Sequence, residues 1–229
     1  DKKAVNDINL QIHNNEIFGF LGPNGAGKTT TIKMMTGILG IDQGDILIDN
    51  YSIQKEPLEA KKRFGYVPDN PEMFLKLKGI EYLNFMADIY EVDENKRKEQ
   101  IERLTKLFEI NDVLSSRIEN YSHGMKQKVA IIGALLHNPN NLILDEPITG
   151  LDPKASFELK NIMREYTEQN KAVFFSTHIL EVAEKICDRI GIINKGEIIF
   201  VGTIEEMREK LKENKSLEEL FMEITENDK

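Results

Sequence analysis

The chain has 229 residues, of which 39 are acidic and 30 are basic, and its formal net charge at pH 7 is −9. This acidic balance disfavours nucleic acid as the main partner and disfavours direct electrostatic binding to anionic lipid. The single cysteine, Cys187, excludes an internal disulfide and is typical of a reducing compartment. The longest apolar run, AIIGALL, is far shorter than the about 20 residues of a membrane helix, so we expect no membrane-spanning segment.

The first clear strand pattern, EIFGFL, leads into the glycine-rich segment GPNGAGKTT and then into the helix-like run TIKMMTGIL. Strand, glycine loop and helix in this order are typical of a phosphate-binding P-loop. The candidate phosphate-binding residues are Gly22, Pro23, Asn24, Gly25, Ala26, Gly27, Lys28, Thr29 and Thr30. Lys28 is placed to reach the β- and γ-phosphates of a nucleotide, and the Thr29 hydroxyl to bind the accompanying Mg²⁺. The alternative is a glycine-rich turn with a chance lysine.

The runs QIHNNEIFGFL and GDILIDN predict strands on either side of the P-loop helix. From about residue 70 to residue 135 the pattern becomes helical. The apolar residues at helical spacing are Ile80, Leu83, Met86, Ala87 and Tyr90, followed by Ile101, Leu104, Leu107 and Phe108. The neighbouring residues Met73, Phe74 and Leu75 are either core residues or exposed residues that contact a partner. Ser122 is a candidate N-cap for the helix that continues as MKQKVAIIGALL.

Two acidic residues end the segment NLILDEP. Its continuous apolar run predicts a central strand buried on both faces, and Asp145 falls at the carboxyl end, where open α/β sheets bind ligands. A carboxylate there can hold Mg²⁺, and Glu146, the next residue, is placed to polarise an attacking water as a general base. The alternative is a pair of solvated carboxylates at a strand exit.

The last third of the chain returns to alternating helices and strands. Asp152 followed by Pro153 predicts the N-cap and first residue of a helix. The run AVFF then predicts a buried strand, and His178 follows it closely, at the expected ligand edge. A capping or simply packed histidine is the alternative. Asn194-Lys195-Gly196 predicts a hairpin, and SLEELFMEI predicts a short amphipathic helix near the C-terminus.

Five segments in this order, GPNGAGKTT, YSHGMKQK, NLILDEP, TGLDP and STH, resemble the Walker A, signature, Walker B, D-loop and H-loop motifs of the ATP-binding subunit of ABC transporters. The resemblance covers nearly the whole chain. It implies an α/β fold, with a P-loop NTPase core built on a mostly parallel sheet, an antiparallel β subdomain and an inserted α-helical subdomain. We expect a single domain over residues 1–229, with the core in 1–69 and 136–210, the helical and signature subdomain in 70–135, and a C-terminal helix and tail in 211–229.

The same resemblance implies hydrolysis of ATP, with Mg²⁺, in a head-to-tail homodimer or heterodimer of ATP-binding subunits that powers transport through a separate transmembrane permease. In the family, the residues matching Ser122 and Gly124 contact the γ-phosphate held by the other subunit. The residue matching Asp152 communicates across the dimer interface, and the one matching His178 contacts the γ-phosphate and the catalytic water. The protein would then lie at the cytoplasmic face of the cell membrane.

Two motifs depart from the family pattern. The usual signature LSGGQ is replaced here by YSHGM, with His123 and Met125 at the changed positions. The Q-loop glutamine is replaced by Asp69, which we expect to keep a Mg²⁺-sensing role with an altered Mg²⁺ dependence. Both variants resemble those of exporters, so export is the expected direction. The family's adenine-stacking aromatic lies upstream of the segment matching AVNDINL, so we name none and expect the natural protein to be longer at its N-terminus.

Two other functions are compatible with parts of the sequence. One is an ABC-type ATPase that acts on DNA or ribosomes, which the acidic charge and the compact helical insert disfavour. The other is a nucleotide-dependent binding module with little catalysis, which the changed signature and Asp69 favour. The intact set of Lys28, Asp145, Glu146 and His178 argues against that second possibility.

Overall fold

The computed structural model describes residues 3–71, 74–211 and 217–226. Its strands are, in chain order, β1 (Ile17–Leu21), β2 (Leu47–Ile48), β3 (Tyr51–Ser52), β4 (Phe64–Val67), β5 (Asn141–Asp145), β6 (Ala172–Thr177), β7 (Arg189–Asn194) and β8 (Glu197–Gly202). Its helices are α1 (Lys28–Met35), α2 (Pro57–Lys61), α3 (Gly79–Ile89), α4 (Glu94–Leu107), α5 (His123–Leu135), α6 (Pro153–Glu168), α7 (Leu180–Ile186), α8 (Ile204–Leu211) and α9 (Leu217–Glu226). None of these helices, in the part of the chain described, is both long and apolar enough to span a membrane.

The main sheet has the strand order β4-β5-β6-β1-β7-β8. Its first five strands run parallel to their neighbours, and only the edge strand β8 is antiparallel. All residues of β1 and β6 are buried, as expected for strands covered on both faces. The prediction of a mostly parallel sheet in an α/β fold is therefore confirmed.

The parallel strands bring their carboxyl ends to one edge of the sheet. The glycine-rich segment follows β1, Asp69 follows β4, Asp145 ends β5 and His178 follows β6. Residues that are distant in the sequence thus reach the edge where open α/β sheets bind ligands. We call this the carboxyl edge, and the opposite one, where β5 and β6 begin, the amino edge.

Two hairpins have two-residue loops with positive φ at both positions. Lys195 and Gly196, with φ of 47° and 87°, join β7 to β8, which confirms the predicted hairpin. Asp49 and Asn50, with φ of 50° and 68°, join β2 to β3 in a separate antiparallel sheet. Such loops match the right-handed twist of the strands they join. The small second sheet supplies the antiparallel β structure predicted beside the main sheet.

The predicted helices α3 to α6 are present, and two of them have the predicted caps. Ser122 Oγ accepts a hydrogen bond from the Met125 N–H at 3.2 Å and begins α5. Asp152 Oδ1 accepts one from the Ala155 N–H at 2.9 Å and begins α6, with proline as its first residue. The C-terminal helix is present as α9. Met73 and residues 212–216 and 227–229, which also carried predictions, lie outside the described residues.

One predicted strand is shorter than its sequence pattern. In the run QIHNNEIFGFL, strand structure begins only at Ile17. The alternating residues Ile8, Leu10 and Ile12 are partly buried against the core, but they are not paired in a sheet. Asn15, with φ of 65°, turns the chain before β1. Alternation reports burial of one side of a segment, whereas a strand also requires a hydrogen-bonded neighbour.

Candidate active site

The predicted phosphate-binding segment lines a cavity of about 640 Å³ at the carboxyl edge, together with Asp69 and Glu146. A larger cavity, of about 770 Å³, lies at the amino edge between α4, the end of α5 and α6, and it contains none of the predicted site residues. The larger cavity is therefore not the one that contains the predicted site residues. We assign the site to the smaller cavity, because a glycine loop and several ionisable groups converge there.

The glycine loop needs its glycines for two reasons. Gly27 has φ of 114°, a conformation that side chains with a Cβ rarely adopt. A Cβ on Gly22 would lie 2.5 Å from the carbonyl oxygen of Ile193. The tight loop leads directly into α1, whose first residues Lys28 and Thr29 line the cavity. The start of a helix behind a glycine loop is a favourable place for an anion.

Lys28 is held inside this loop. Its residue exposure is only 6 %, and its Nζ donates to the carbonyl oxygens of Gly22 at 2.7 Å and Pro23 at 3.3 Å. Its Nζ also lies 3.8 Å from Glu146 Oε1. Burial lowers the pKa of Lys28, whereas the nearby charges of Glu146, Asp145 and Asp69 raise it. The ammonium group is thus kept among acceptors that a phosphate can replace.

Asp145 is fully buried. Its Oδ1 accepts a hydrogen bond from Ser176 Oγ at 2.6 Å, while its Oδ2 is buried with no hydrogen-bond partner among the described residues. Burial raises the pKa of this carboxyl, and interactions with Ser176 and Thr29 lower it. A buried oxygen without a partner is costly. An all-oxygen set made of Asp145, Thr29 and Asp69 therefore fits a hard divalent cation.

Glu146 turns away from the end of β5 in a strained conformation, with φ of 48°. Its N–H donates to Ser176 Oγ at 3.0 Å. Its Oε2 lies 2.9 Å from His178 Nδ1, and its Oε1 faces the Lys28 ammonium. Lys28, Glu146 and His178, which lie on three separate segments of the sequence, therefore form one cluster. The Glu146 side chain has an exposure of only 12 %, whereas that of His178 is 53 % exposed.

Asp69 reaches the same cavity from β4. Its charge acts on Lys28, Asp145 and Tyr66, and burial together with the charges of Asp145 and Asp69 raises the pKa of Tyr66 to about 12. Asp69 therefore belongs to the same electrostatic cluster as the P-loop lysine and the buried aspartate.

The predicted signature and D-loop residues lie elsewhere. Ser122 and Gly124, at the start of α5, do not line the cavity, and neither does Asp152. Gly124 instead approaches the D-loop closely, since a Cβ on it would lie 2.6 Å from the carbonyl oxygen of Gly150. Asp152 caps α6, and its Oδ2 also forms an ion pair with Lys128 Nζ at 2.6 Å. One chain therefore brings together only part of the predicted site.

Sequence reasoning missed the role of Ser176. Its hydroxyl links the Asp145 carboxylate to the Glu146 backbone, because β6 pairs with β5 and places Ser176 opposite Asp145. The sequence shows a serine near the end of a buried strand, but only the strand order identifies its neighbour. Asn194 and Lys195 also line the cavity, and the sequence marked them only as turn residues.

The family model described as "ABC transporter" matches residues 5–149. An uncharacterized ABC transporter ATP-binding protein of Bacillus subtilis (strain 168), YhcH, is 39 % identical over 214 residues, which cover 93 % of this chain and 68 % of that protein. A solved structure described as the ATP-binding subunit of an ABC transporter has a TM-score of 0.93 and 34 % identity, covering 97 % of this chain and 93 % of its own.

A second solved structure shares the fold at lower identity. It is the ATP-binding cassette MJ0796, described as a dimer in a post-hydrolysis state bound to ADP and Pi. Its TM-score is 0.78 at 23 % identity, with 88 % of this chain and 90 % of that chain covered.

Proposed function

The chain belongs to the ABC transporter family, as an ATP-binding subunit with ATPase activity, and we propose that two such subunits close head to tail around two molecules of ATP to power transport through a separate transmembrane permease. The observation that carries this proposal is the division of the predicted site. Lys28, Asp145 and Glu146 gather at the carboxyl edge, whereas Ser122 and Gly124 do not line that cavity. A second subunit would supply them.

A two-fold head-to-tail arrangement creates two identical composite sites. In each, the Lys28 ammonium of one subunit and the start of α5 of the other would bind the same γ-phosphate. The start of α5 suits this role. Ser122 caps the N-terminus of this 13-residue helix, and a helix N-terminus carries the positive end of the helix dipole. The similar cassette MJ0796 is described as a dimer bound to ADP and Pi, which supports the pairing of two subunits.

The changed signature is compatible with this role. The His123 ring lies directly over Gly150, where a Cβ would be 2.3 Å from the ring carbon Cδ2. The histidine is thus accommodated by a D-loop glycine of its own chain. Asp152, in the same D-loop, would communicate across the dimer interface while capping α6.

We assign Mg²⁺ to the oxygen cluster of Thr29, Asp145 and Asp69. Among the described residues no three His, Cys, Asp or Glu side chains form a cage for a metal ion, which agrees with a cation that takes its remaining ligands from phosphates and water. Bound there, the ion would neutralise charge on the β- and γ-phosphate oxygens. Asp69 adds a second carboxylate to this cluster, and in this role it would alter the Mg²⁺ dependence.

Glu146 is the general base of this proposal, and His178 supports it. On binding ATP, the Lys28 ammonium would exchange the Gly22 carbonyl and the Glu146 carboxylate for phosphate oxygens. Glu146 would then accept a proton from the attacking water. The contact between Glu146 Oε2 and His178 Nδ1 would orient both side chains, and the imidazole would then lie beside the charge that develops on the γ-phosphate.

An exposed apolar patch beside α3 supports docking of the permease. Phe74, Phe85 and Ile89 are 43 %, 39 % and 55 % exposed, and the Phe74 and Phe85 ring centroids are 5.1 Å apart. Leu75 packs against the core instead. Adjacent exposed apolar side chains are typical of an interaction surface. The permease would hold the subunit at the cytoplasmic face of the cell membrane, with residues 70–135 as the docking and signature subdomain.

The direction we propose is export, which rests on the signature and Q-loop variants alone. The transported substrate would be recognised by the permease. Nucleic acid is not a proposed partner, because the net charge of −9 opposes binding to a polyanion.

The dimer is tested with Glu146→Gln and light scattering, with and without ATP and Mg²⁺. The variant keeps Lys28 and α5, so it should bind ATP, lower kcat by about 100-fold or more, and double in mass only when ATP and Mg²⁺ are present. Glu165→Gln, which makes the same change at an exposed position on α6, is the matched control and should keep wild-type turnover. Substantial turnover by Glu146→Gln would remove the general-base role, and a monomer under both conditions would count against the head-to-tail dimer.

A further inference from the structure

Gln127 is a buried polar residue in the second turn of α5. It lies just after the signature. Its Nε2 donates a hydrogen bond to the carbonyl oxygen of Pro147 at 3.2 Å. Pro147 directly follows Glu146, so a side chain of the signature helix is bonded to the backbone next to the proposed general base.

This arrangement satisfies the Pro147 carbonyl at a cost to the glutamine itself. The Oε1 of Gln127 is buried and has no hydrogen-bond partner among the described residues. A buried polar atom without a partner destabilises the fold. An apolar side chain of similar size would avoid that cost at Oε1, but it would leave the Pro147 carbonyl without its donor.

The backbone around Glu146 is held from two sides. On one side, the Glu146 N–H donates to Ser176 Oγ at 3.0 Å. On the other, the Pro147 carbonyl accepts from Gln127, while the Thr149 N–H closes a turn onto the Glu146 carbonyl at 3.1 Å. Because Glu146 has an unfavourable φ of 48°, its conformation must be imposed by such contacts.

Two further contacts join α5 to the same segment. Gly124 lies against the Gly150 carbonyl, with no room for a side chain between them. Lys128, with a side chain only 12 % exposed, pairs with Asp152 at 2.6 Å. The first two turns of α5 therefore contact the segment 147–152 at its beginning, middle and end.

We propose that Gln127 is a positioning residue for Glu146, and that it ties the orientation of the general base to the start of α5. This inference rests on the proposed function, in which Glu146 is the base and the start of α5 binds the phosphate of the opposite site. A shift of α5 when it meets that phosphate is then transmitted through Gln127 and Pro147 to the base of its own chain.

The test compares Gln127→Met with wild type by steady-state ATPase kinetics and thermal unfolding. Methionine keeps the length and approximate volume of glutamine but has no N–H to donate. We expect kcat to fall by about tenfold and the KM for ATP to change by less than about threefold, because misplacing the base affects the chemical step and leaves the P-loop intact. Thr105→Val is the matched control, since it removes a buried hydroxyl that bonds only within α4. It should lower Tm without lowering kcat.

A double variant separates the two proposals. In the Glu146→Gln background, Gln127→Met should cause little further loss, because the group that it positions has already been replaced. A wild-type kcat in Gln127→Met, or an undiminished tenfold loss in the double variant, would overturn the positioning role while leaving the base assignment intact. Rapid turnover by Glu146→Gln alone would instead overturn the base assignment, and the positioning role with it.

Discussion

The two edges of the main sheet each carry a cavity, and they differ in what lines them. At the carboxyl edge, Lys28 and Asp145 are buried, the strained Glu146 lies 3.8 Å from Lys28, and Asp145 Oδ2 has no hydrogen-bond partner among the described residues. At the amino edge the cavity is larger, and the His137 ring that lines it is packed, although its Nδ1 has no hydrogen-bond partner among the described residues. Its ring stacks on Tyr90 at 3.6 Å and its Nε2 lies 3.2 Å from the Phe64 carbonyl oxygen.

The difference shows that a functional site is identified by the charge and backbone strain that converge in it, more than by its volume. Buried charge and strain destabilise a fold unless a ligand later makes use of them. The carboxyl edge holds such groups close together, whereas at the amino edge the partly buried His137 ring is stacked on Tyr90. We therefore expect substitutions at the carboxyl edge to change turnover, and substitutions at the amino edge to change stability.

The largest expected effect comes from mixing two inactive variants. Lys28→Ala removes the phosphate-binding cation, and Ser122→Arg blocks the start of α5, so each alone should be nearly inactive. In a head-to-tail homodimer that contains one chain of each kind, both changes fall in the same site and the other site is intact. An equal mixture should therefore recover about a quarter of the wild-type ATPase rate. Each variant mixed with itself is the control.

This experiment tests directly whether the carboxyl edge of one chain is a complete site. If the carboxyl edge of a single chain were the complete site, Ser122→Arg alone would keep its activity, and mixing it with Lys28→Ala would add nothing. Recovery would show that the edge is complete only with the α5 of a second subunit. Analytical ultracentrifugation of the mixture, with ATP and Mg²⁺, reports whether mixed dimers form.

Much of the carboxyl edge could be predicted from sequence. Buried parallel strands have continuous apolar runs, and the residues that follow them reach one edge whatever the strand order, so Lys28, Asp145 and His178 could be placed together. The bond from Ser176 to Asp145 could not, because it depends on β6 lying beside β5. The pairing of Gln127 with Pro147 was equally hidden, since the sequence shows a glutamine on a helix but not what covers it.

The strand pattern before β1 failed for a different physical reason. Ile8, Leu10 and Ile12 alternate because one side of that segment packs against the core, and the same pattern arises in a strand. Hydrogen-bond pairing distinguishes the two cases, and pairing depends on the neighbouring segment. The hairpin at Lys195-Gly196 was predictable because its signal lies in the turn residues themselves.

A smaller effect is expected at Asp69, within the carboxyl edge. Replacing its carboxylate in Asp69→Gln removes one negative charge from the cluster with Asp145, so the Mg²⁺ concentration for half-maximal ATPase activity should rise by about threefold or more. Asp42→Asn, which removes an exposed carboxylate, is the control. If the Mg²⁺ titration of Asp69→Gln superimposed on that of wild type, the assignment of Asp69 to the cation would be wrong.

The smallest effect is expected at His137. Substituting it should leave turnover unchanged and should alter how the free energy of unfolding depends on pH. Burial lowers the pKa of His137 to about 4, with the bond to Phe64 raising it and Lys171 lowering it further. The unfolded chain, with an ordinary histidine pKa of about 6.5, therefore binds a proton in a range where the folded chain does not. The contribution of His137 to the free energy of unfolding should fall by about 2 kcal/mol between pH 7 and pH 5.

His137→Phe keeps a ring against Tyr90 but cannot titrate, so its free energy of unfolding should decline less steeply over this pH range than that of wild type. The exposed His13 supplies the control, His13→Phe, which should follow wild type. Urea unfolding at several pH values measures the difference. A loss of kcat in His137→Phe at pH 7, with its stability unchanged, would contradict the comparison, because it would place catalysis at the amino edge. Wild-type turnover with the altered pH slope would restrict the chemistry to the carboxyl edge, where the charged cluster and the strained Glu146 lie.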